Sequence, residues 1–240
     1  MAAITTYGLA QETRVTGELC KTHNEPLQVH NVTPEKLNAG SELARMMLEK
    51  ETAALNADTA KQVLTRQEET QRANLVLLLQ SVNNAVKTKY GKGSKEGKDF
   101  HIGEKLSYST PKVLQWAADV IKIYPKYKEE LAEQGIVQVD IDAISASTDA
   151  LEATDTQQET SKRAATQATA AADAAKAAVA KFLDSIQNAA GMAFAKEPAV
   201  KADFEAAKKL RYQAAPRTSK DSNNNPPSPG TTTAPADRTK

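Results

Sequence analysis

The stretch ATQATAAADAAKAAVAKFL, Ala165 to Leu183, decides the fold. Such an alanine run is a packing ridge, a lipid-facing segment or a low-complexity linker, and its charges and spacing discriminate among them. Asp173, Lys176 and Lys181 lie inside it, and each charge at the centre of a spanning helix costs about 3 kcal/mol. Alanine loses no side-chain entropy in a helix, so the run favours helix at every position. Taking Ile144 as an a position places Leu151, Gln158, Ala165, Ala172, Val179, Ile186 and Ala193 at a. The d positions are then Ser147, Thr154, Ser161, Ala168, Ala175, Phe182 and Ala189. The register holds without a skip, and alanines on it admit a neighbouring helix at short range. Close helix packing therefore ranks ahead of a disordered linker, and a lipid-facing role ranks last.

Working outward, the helix that carries the ridge is expected to start at Asp140, as a cap, and to run to about Ala195. A matching helix is read upstream. Thr33 caps it, Pro34 takes the first helical position where no amide donor is needed, and Gly91 stops it after Tyr90. Within that span there is no other proline, and Gly40 is its one glycine, so about 57 residues form one helix of roughly 85 Å. Each long helix has a polar interval, TRQEETQR at Thr65 to Arg72 and TDTQQETSKR at Thr154 to Arg163. In an antiparallel pair the two would meet, as a register-fixing layer or, less favoured, as a polar site for a small ligand or partner.

Between the long helices, Thr110 and Pro111 open a shorter helix to Gln134. Val113, Trp116, Ala117, Val120, Tyr124, Tyr127 and Leu131 recur on it at three- and four-residue steps, the period of a buried face. Pro125 must kink or restart it. Gly91 to Ser109 reads as a Gly and Lys connector with a short extended piece around Phe100 to Leu106. A last helix is expected from Pro198 to Tyr212.

These elements divide the chain into an irregular N-terminal arm (1–32), a helical bundle (33–214) and a disordered Pro/Ser/Thr/Asn-rich tail (215–240). The tail lacks the apolar residues needed to offset the entropy of folding. The fold class is all-α: an elongated antiparallel long-helix, coiled-coil-like bundle with a shorter kinked helix. Packing is expected to rest on Leu48, Leu55, Val63, Val76, Val120, Tyr124, Leu151, Val179, Phe182 and Ile186.

Composition narrows the function classes. Lys plus Arg number 31 against 30 for Asp plus Glu, so no basic field points to nucleic acid. The single cysteine, Cys20, excludes an intramolecular disulfide framework. No basic segment followed by an apolar one marks the N-terminus as a secretory leader. GKGSKEGK, Gly91 to Lys98, has Lys92 where a phosphate loop needs glycine and Asp99 where it needs Ser or Thr. Cys20, His23 and His30, with Glu18 or Glu25, match no common zinc spacing. Trp116, Tyr124 and Tyr127, interleaved with Lys112, Lys122, Lys126 and Lys128, suit a core face better than a membrane or nucleic-acid surface.

The layout and the segment KFLDSIQNAAGMAFAKEPAVKADFEAAKKLRYQAAPRTSK, Lys181 to Lys220, resemble bacterial long-helix bundle proteins of unknown function. That resemblance implies the architecture and a bacterial source, and no catalytic residue. The sequence thus predicts a cytoplasmic, non-enzymatic structural or scaffolding protein with no cofactor and no metal. Its partner is itself or another protein, not nucleic acid. The alternative is a membrane-interacting bundle, pore-forming or remodelling.

Overall fold

The computed structural model describes residues 3–103 and 109–214. Two helices dominate: α3 (Pro34–Tyr90, 57 residues) and α7 (Gln138–Ala193, 56 residues). The Thr33 hydroxyl accepts the Lys36 amide at 3.3 Å, and Pro34 opens α3. Gly91 ends it at φ +82°, a left-handed conformation that suits glycine. α7 starts two residues before the expected point. Asp140 lies inside it rather than capping it, and its carboxylate accepts the Val137 amide at 2.8 Å.

The two helices run antiparallel. Gln158 donates to Thr65 at 3.2 Å, Lys176 pairs with Glu51 at 2.7 Å, and the Phe182 ring lies over Gly40. As residue numbers fall along α3, they rise along α7. The two polar intervals read from the sequence therefore meet.

On α7 the a positions from Ile144 to Ile186 are all buried, while Ala193 at the end is half-buried. The alanine run is a ridge in this seam. On α3 the facing line starts at Gly40, Ala44 and Met47 and continues at alternating four- and three-residue steps to Leu79, Val82 and Val86. Every position on it is buried or half-buried. Its ends are apolar, but its middle, Ala54 apart, is Glu51, Asp58, Lys61, Thr65, Glu68 and Arg72. The small side chains of Ala165 and Ala172 let the side chains of Glu51, Asp58 and Lys61 lie across the pair with their heads near water.

That arrangement corrects three expected packing residues. Leu48, Leu55 and Val63 are 46%, 62% and 57% exposed. They lie off the seam, whose middle on α3 is polar. Val120, Tyr124, Leu151, Val179 and Ile186 are buried, and Val76 and Phe182 are partly buried against the core.

Each end of the pair carries a covering layer. At one end α5 (Thr110–Ile123) packs Val113, Trp116 and Val120 onto Leu75, Leu79 and Val82 of α3 and Ile144 of α7. Pro125 breaks the helix as expected. A 3-10 turn spans Tyr124–Lys126, and α6 (Lys128–Ala132) follows. Lys112, Lys122, Lys126 and Lys128 are exposed while Trp116, Tyr124 and Tyr127 are buried, so the aromatics are core. The connector holds a short helix, α4 (Lys95–Asp99), started by the Ser94 hydroxyl accepting the Gly97 amide at 2.8 Å. Of the extended piece expected around Phe100 to Leu106, residues 100–103 form turns instead, and the remainder falls outside the described residues, as does the tail from residue 215.

At the other end the N-terminal residues are not an irregular arm. They form α1 (Thr6–Thr22) and α2 (Asn24–Val29), docked with α8 (Pro198–Lys209) and a 3-10 turn at Leu210–Tyr212. Thr5 caps α1 by accepting the Gly8 amide at 2.9 Å. The inward residues of α1 are Gly8, Leu9, Glu12, Thr16 and Cys20, a set too polar to show an apolar period.

Candidate functional site: two buried polar clusters

The polar layer sits where Thr65 to Arg72 crosses Gln158. Glu68 is buried, and its carboxylate accepts from the hydroxyl of Thr110, the first residue of α5. Arg72 donates to the same hydroxyl oxygen at 3.2 Å and lies 3.7 Å from the Glu68 carboxylate. One heptad away Gln158, also buried, donates to Thr65. These groups answer one another across three helices, so the layer fixes both the slide of α3 against α7 and the seating of α5. Unseating α5 would take the Thr110 hydroxyl from the buried Glu68 carboxylate, and an unsatisfied buried group costs about 1–3 kcal/mol, more for a charge.

The second cluster joins the two ends of the described chain. Arg211 and Glu12, 199 residues apart, form a two-pronged pair at 2.8 Å for each prong. Both are buried, and the third guanidinium nitrogen donates to Asp184 of α7 at 3.0 Å. Lys208 stands 3.5 Å from the same Asp184 oxygen. Burial pushes the Glu12 carboxyl above its ordinary value, and Arg211 pulls in the opposite direction without overcoming it. The hydrogen bonds to Glu12 hold Arg211 above its own ordinary value. The backbone is equally close: a Cβ on Gly8 would stand 2.5 Å from the carbonyl carbon and oxygen of Arg211. The Thr5 backbone amide donates a hydrogen bond to the Arg211 carbonyl at 3.0 Å. Sequence reasoning missed this latch because nothing local to Glu12 or Arg211 signals the other.

The sequence-derived metal candidates are not brought together. Among the described residues no group of three His, Cys, Asp or Glu side chains is placed to hold a metal. Cys20 packs among Leu27, Ile186 and Phe194 instead, where burial pushes its thiol up to about 11. It stays protonated at neutral pH and is a poor nucleophile or ligand. His23 meets the Phe194 ring edge to face at 5.4 Å. The glycine and lysine connector, whose spacing already spoke against a phosphate loop, spends Ser94 on the cap of α4. A groove of about 480 Å³ runs between α1 and α3, floored by Ala44, Leu48 and Phe182. Its cations already find partners on their own helices, Lys21 with Glu18, Arg45 with Glu42 and Glu49, and Arg14 with the Gln11 side-chain carbonyl. No protein-family model, curated protein or solved structure matches this chain.

Proposed function

We propose that the protein is a non-enzymatic scaffold: a coiled-coil strut, of bacterial and cytoplasmic origin, that binds a protein partner or further copies of itself along its helix surfaces. The observation that carries this reading is the fixed register of two helices of 57 and 56 residues, about five times the mean helix length of globular domains. The polar layer and the latch spend their charges on internal partners, which supports positional roles for Glu68, Arg72, Glu12 and Arg211 rather than turnover. A stiff pair roughly 85 Å long presents far more outer surface than its own core needs.

A photo-cross-linking residue placed in turn at Leu55, Gln67 and Ala174, with the full chain expressed in its native cell, tests the reading. Discrete protein adducts from these stalk positions are the expected result. No adduct from any of them would overturn it. The rival membrane reading requires the bundle to open, because Leu75, Leu79 and Trp116 are buried. Among the described residues no helix is long and apolar enough to cross a membrane. Adducts to lipid in place of protein would favour that rival.

A further inference from the structure

The two sides of the long-helix pair are chemically unlike. α1 and α5 both lie on one side. On α3 that side carries Ser41, Leu48 and Val76, and on α7 it carries Ile141, Thr148 and Leu183, each set separated by whole heptads. Between the two covering helices this side is charged, with Arg45, Arg66, Glu69, Glu159, Lys162 and Asp173 all exposed.

Among the described residues, no helix covers the opposite side. On α7 it is the line that begins Ala146, Ala150, Ala153 and continues at alternating four- and three-residue steps to Ala178. Ten positions pass without a charge, and nine of them are exposed. On α3 the facing line runs at the same spacing from Leu43 through Met46 to Leu78, eleven positions with Lys50 as the one charge. A quarter of the chain is charged, so two aligned uncharged lines are not what a solvated helix face normally carries. The described helices cover parts of the charged side and leave the uncharged one open.

We infer that this face is where a second copy of the chain docks, face to face, to make a four-helix stalk. The inference deepens the scaffold reading and rests on it. Three properties point to a copy rather than to another partner. The face is about 50 Å long and two helices wide, so self-apposition would bury roughly 800–900 Å² per copy, the size of a standard stable interface. The α7 line, alanine at seven of its ten positions, admits a facing helix at the short end of the 8–10 Å range. A partner must then itself be small and uncharged over the same length, and this chain supplies such a surface. Two-fold apposition buries no charge cluster: Lys50 lies toward one end of its line, and a net charge of +1 sets up no repulsion between copies.

The test is molar mass by light scattering, from about 1 to 100 µM, on the full chain and on two double variants. Ala164→Glu with Ala174→Glu puts charges on the uncharged face. Thr59→Glu with Thr166→Glu puts them on the opposite side. Wild type and the second variant are expected at twice 25.8 kDa, and the first at 25.8 kDa with unchanged helical circular dichroism. A wild type that stays monomeric at 100 µM would overturn the inference, and so would a first variant as dimeric as wild type. Monomers that co-sediment with anionic vesicles through Ala164 and Ala174 would assign the face to membrane and equally overturn it. A monomer that still yields protein adducts in cells leaves the scaffold reading standing, whereas absent adducts remove that reading itself.

Discussion

Replacing Arg211 by methionine should unlatch one end of the molecule while the other holds. The substitution keeps most of the side-chain bulk and removes the two 2.8 Å bonds to Glu12. Glu12 is fully buried, so its carboxylate would be left in the interior with no cation in contact. Removing one partner of a buried pair costs about 3–5 kcal/mol. At about 2–4 °C per kcal/mol for a chain of this size, the melting temperature at pH 7 should fall by about 10 °C. Hydrogen exchange should place the loss in α1 and the Leu210–Tyr212 turn, with the α3 and α7 seam near Leu151 still protected. The pH dependence has a definite sign. Glu12 sits above its ordinary value because of burial, so the folded state holds its proton more tightly than the unfolded chain does. Acidification through that raised value adds stability, and a rise in pH through it removes stability. Without Arg211 the carboxyl is pushed up further, so the variant's deficit should narrow as the pH falls from 7 toward 5. The double variant Glu12→Leu with Arg211→Met should recover to within about 1 kcal/mol of wild type, since apolar replacement of a buried pair is often neutral or better. If Arg211→Met melts with wild type, or if the double variant is no more stable than the single one, the latch is not what holds α1 down.

Gly8→Ala should destabilise by about 1–3 kcal/mol, because the new methyl meets the Arg211 backbone, which cannot swing aside. Gly17→Ala, with nothing within 4 Å of the new atom, should instead stabilise α1 by roughly 0.5–1 kcal/mol; thermal melts that rank the two alike would contradict the packing of α1. Val179→Asp puts a charge among Leu9, Met47 and Leu183 and should abolish the cooperative helical melt, so an unchanged melt would contradict the α7 register. Leu55→Lys and Val63→Lys should shift stability by no more than about 0.5 kcal/mol, while Leu151→Ala should cost about 2–5 kcal/mol; urea titrations returning equal effects would mean the seam runs elsewhere.

Much of this arrangement was legible in the sequence because it depends on local chemistry. Thr33 and Pro34 start a helix by the same rules in any context, Pro125 breaks one, and the a positions of α7 keep their period in spite of Gln158. The facing line of α3 was not legible as apolar, since its middle, Ala54 apart, is Glu51, Asp58, Lys61, Thr65, Glu68 and Arg72. The visible leucines and valine nearby, Leu48, Leu55 and Val63, drew the packing to the wrong side. α1 was hidden for a related reason: its buried line spends two of five positions on Glu12 and Thr16. The polar layer was half readable. Both intervals stood out by composition, but Thr110, the hydroxyl that ties α5 to Glu68, carries no local sign of that contact.

The central claim, that α3 and α7 of one chain pair antiparallel in this register, is open to a test on unmodified residues. Zero-length carbodiimide coupling joins a lysine to a carboxylate only where they touch, and Lys176 lies 2.7 Å from Glu51. Lys89 likewise pairs with Glu133 at the far end. Coupling an equal mixture of ¹⁴N- and ¹⁵N-labelled protein and reading the linked peptides by mass spectrometry separates links within a chain from links between chains. The structure predicts Lys176–Glu51 and Lys89–Glu133 peptides in which both halves carry the same isotope. Mixed-isotope Lys176–Glu51 peptides, or Lys176 linked only to carboxylates near Tyr90, would mean that the helices pair between chains or in another register.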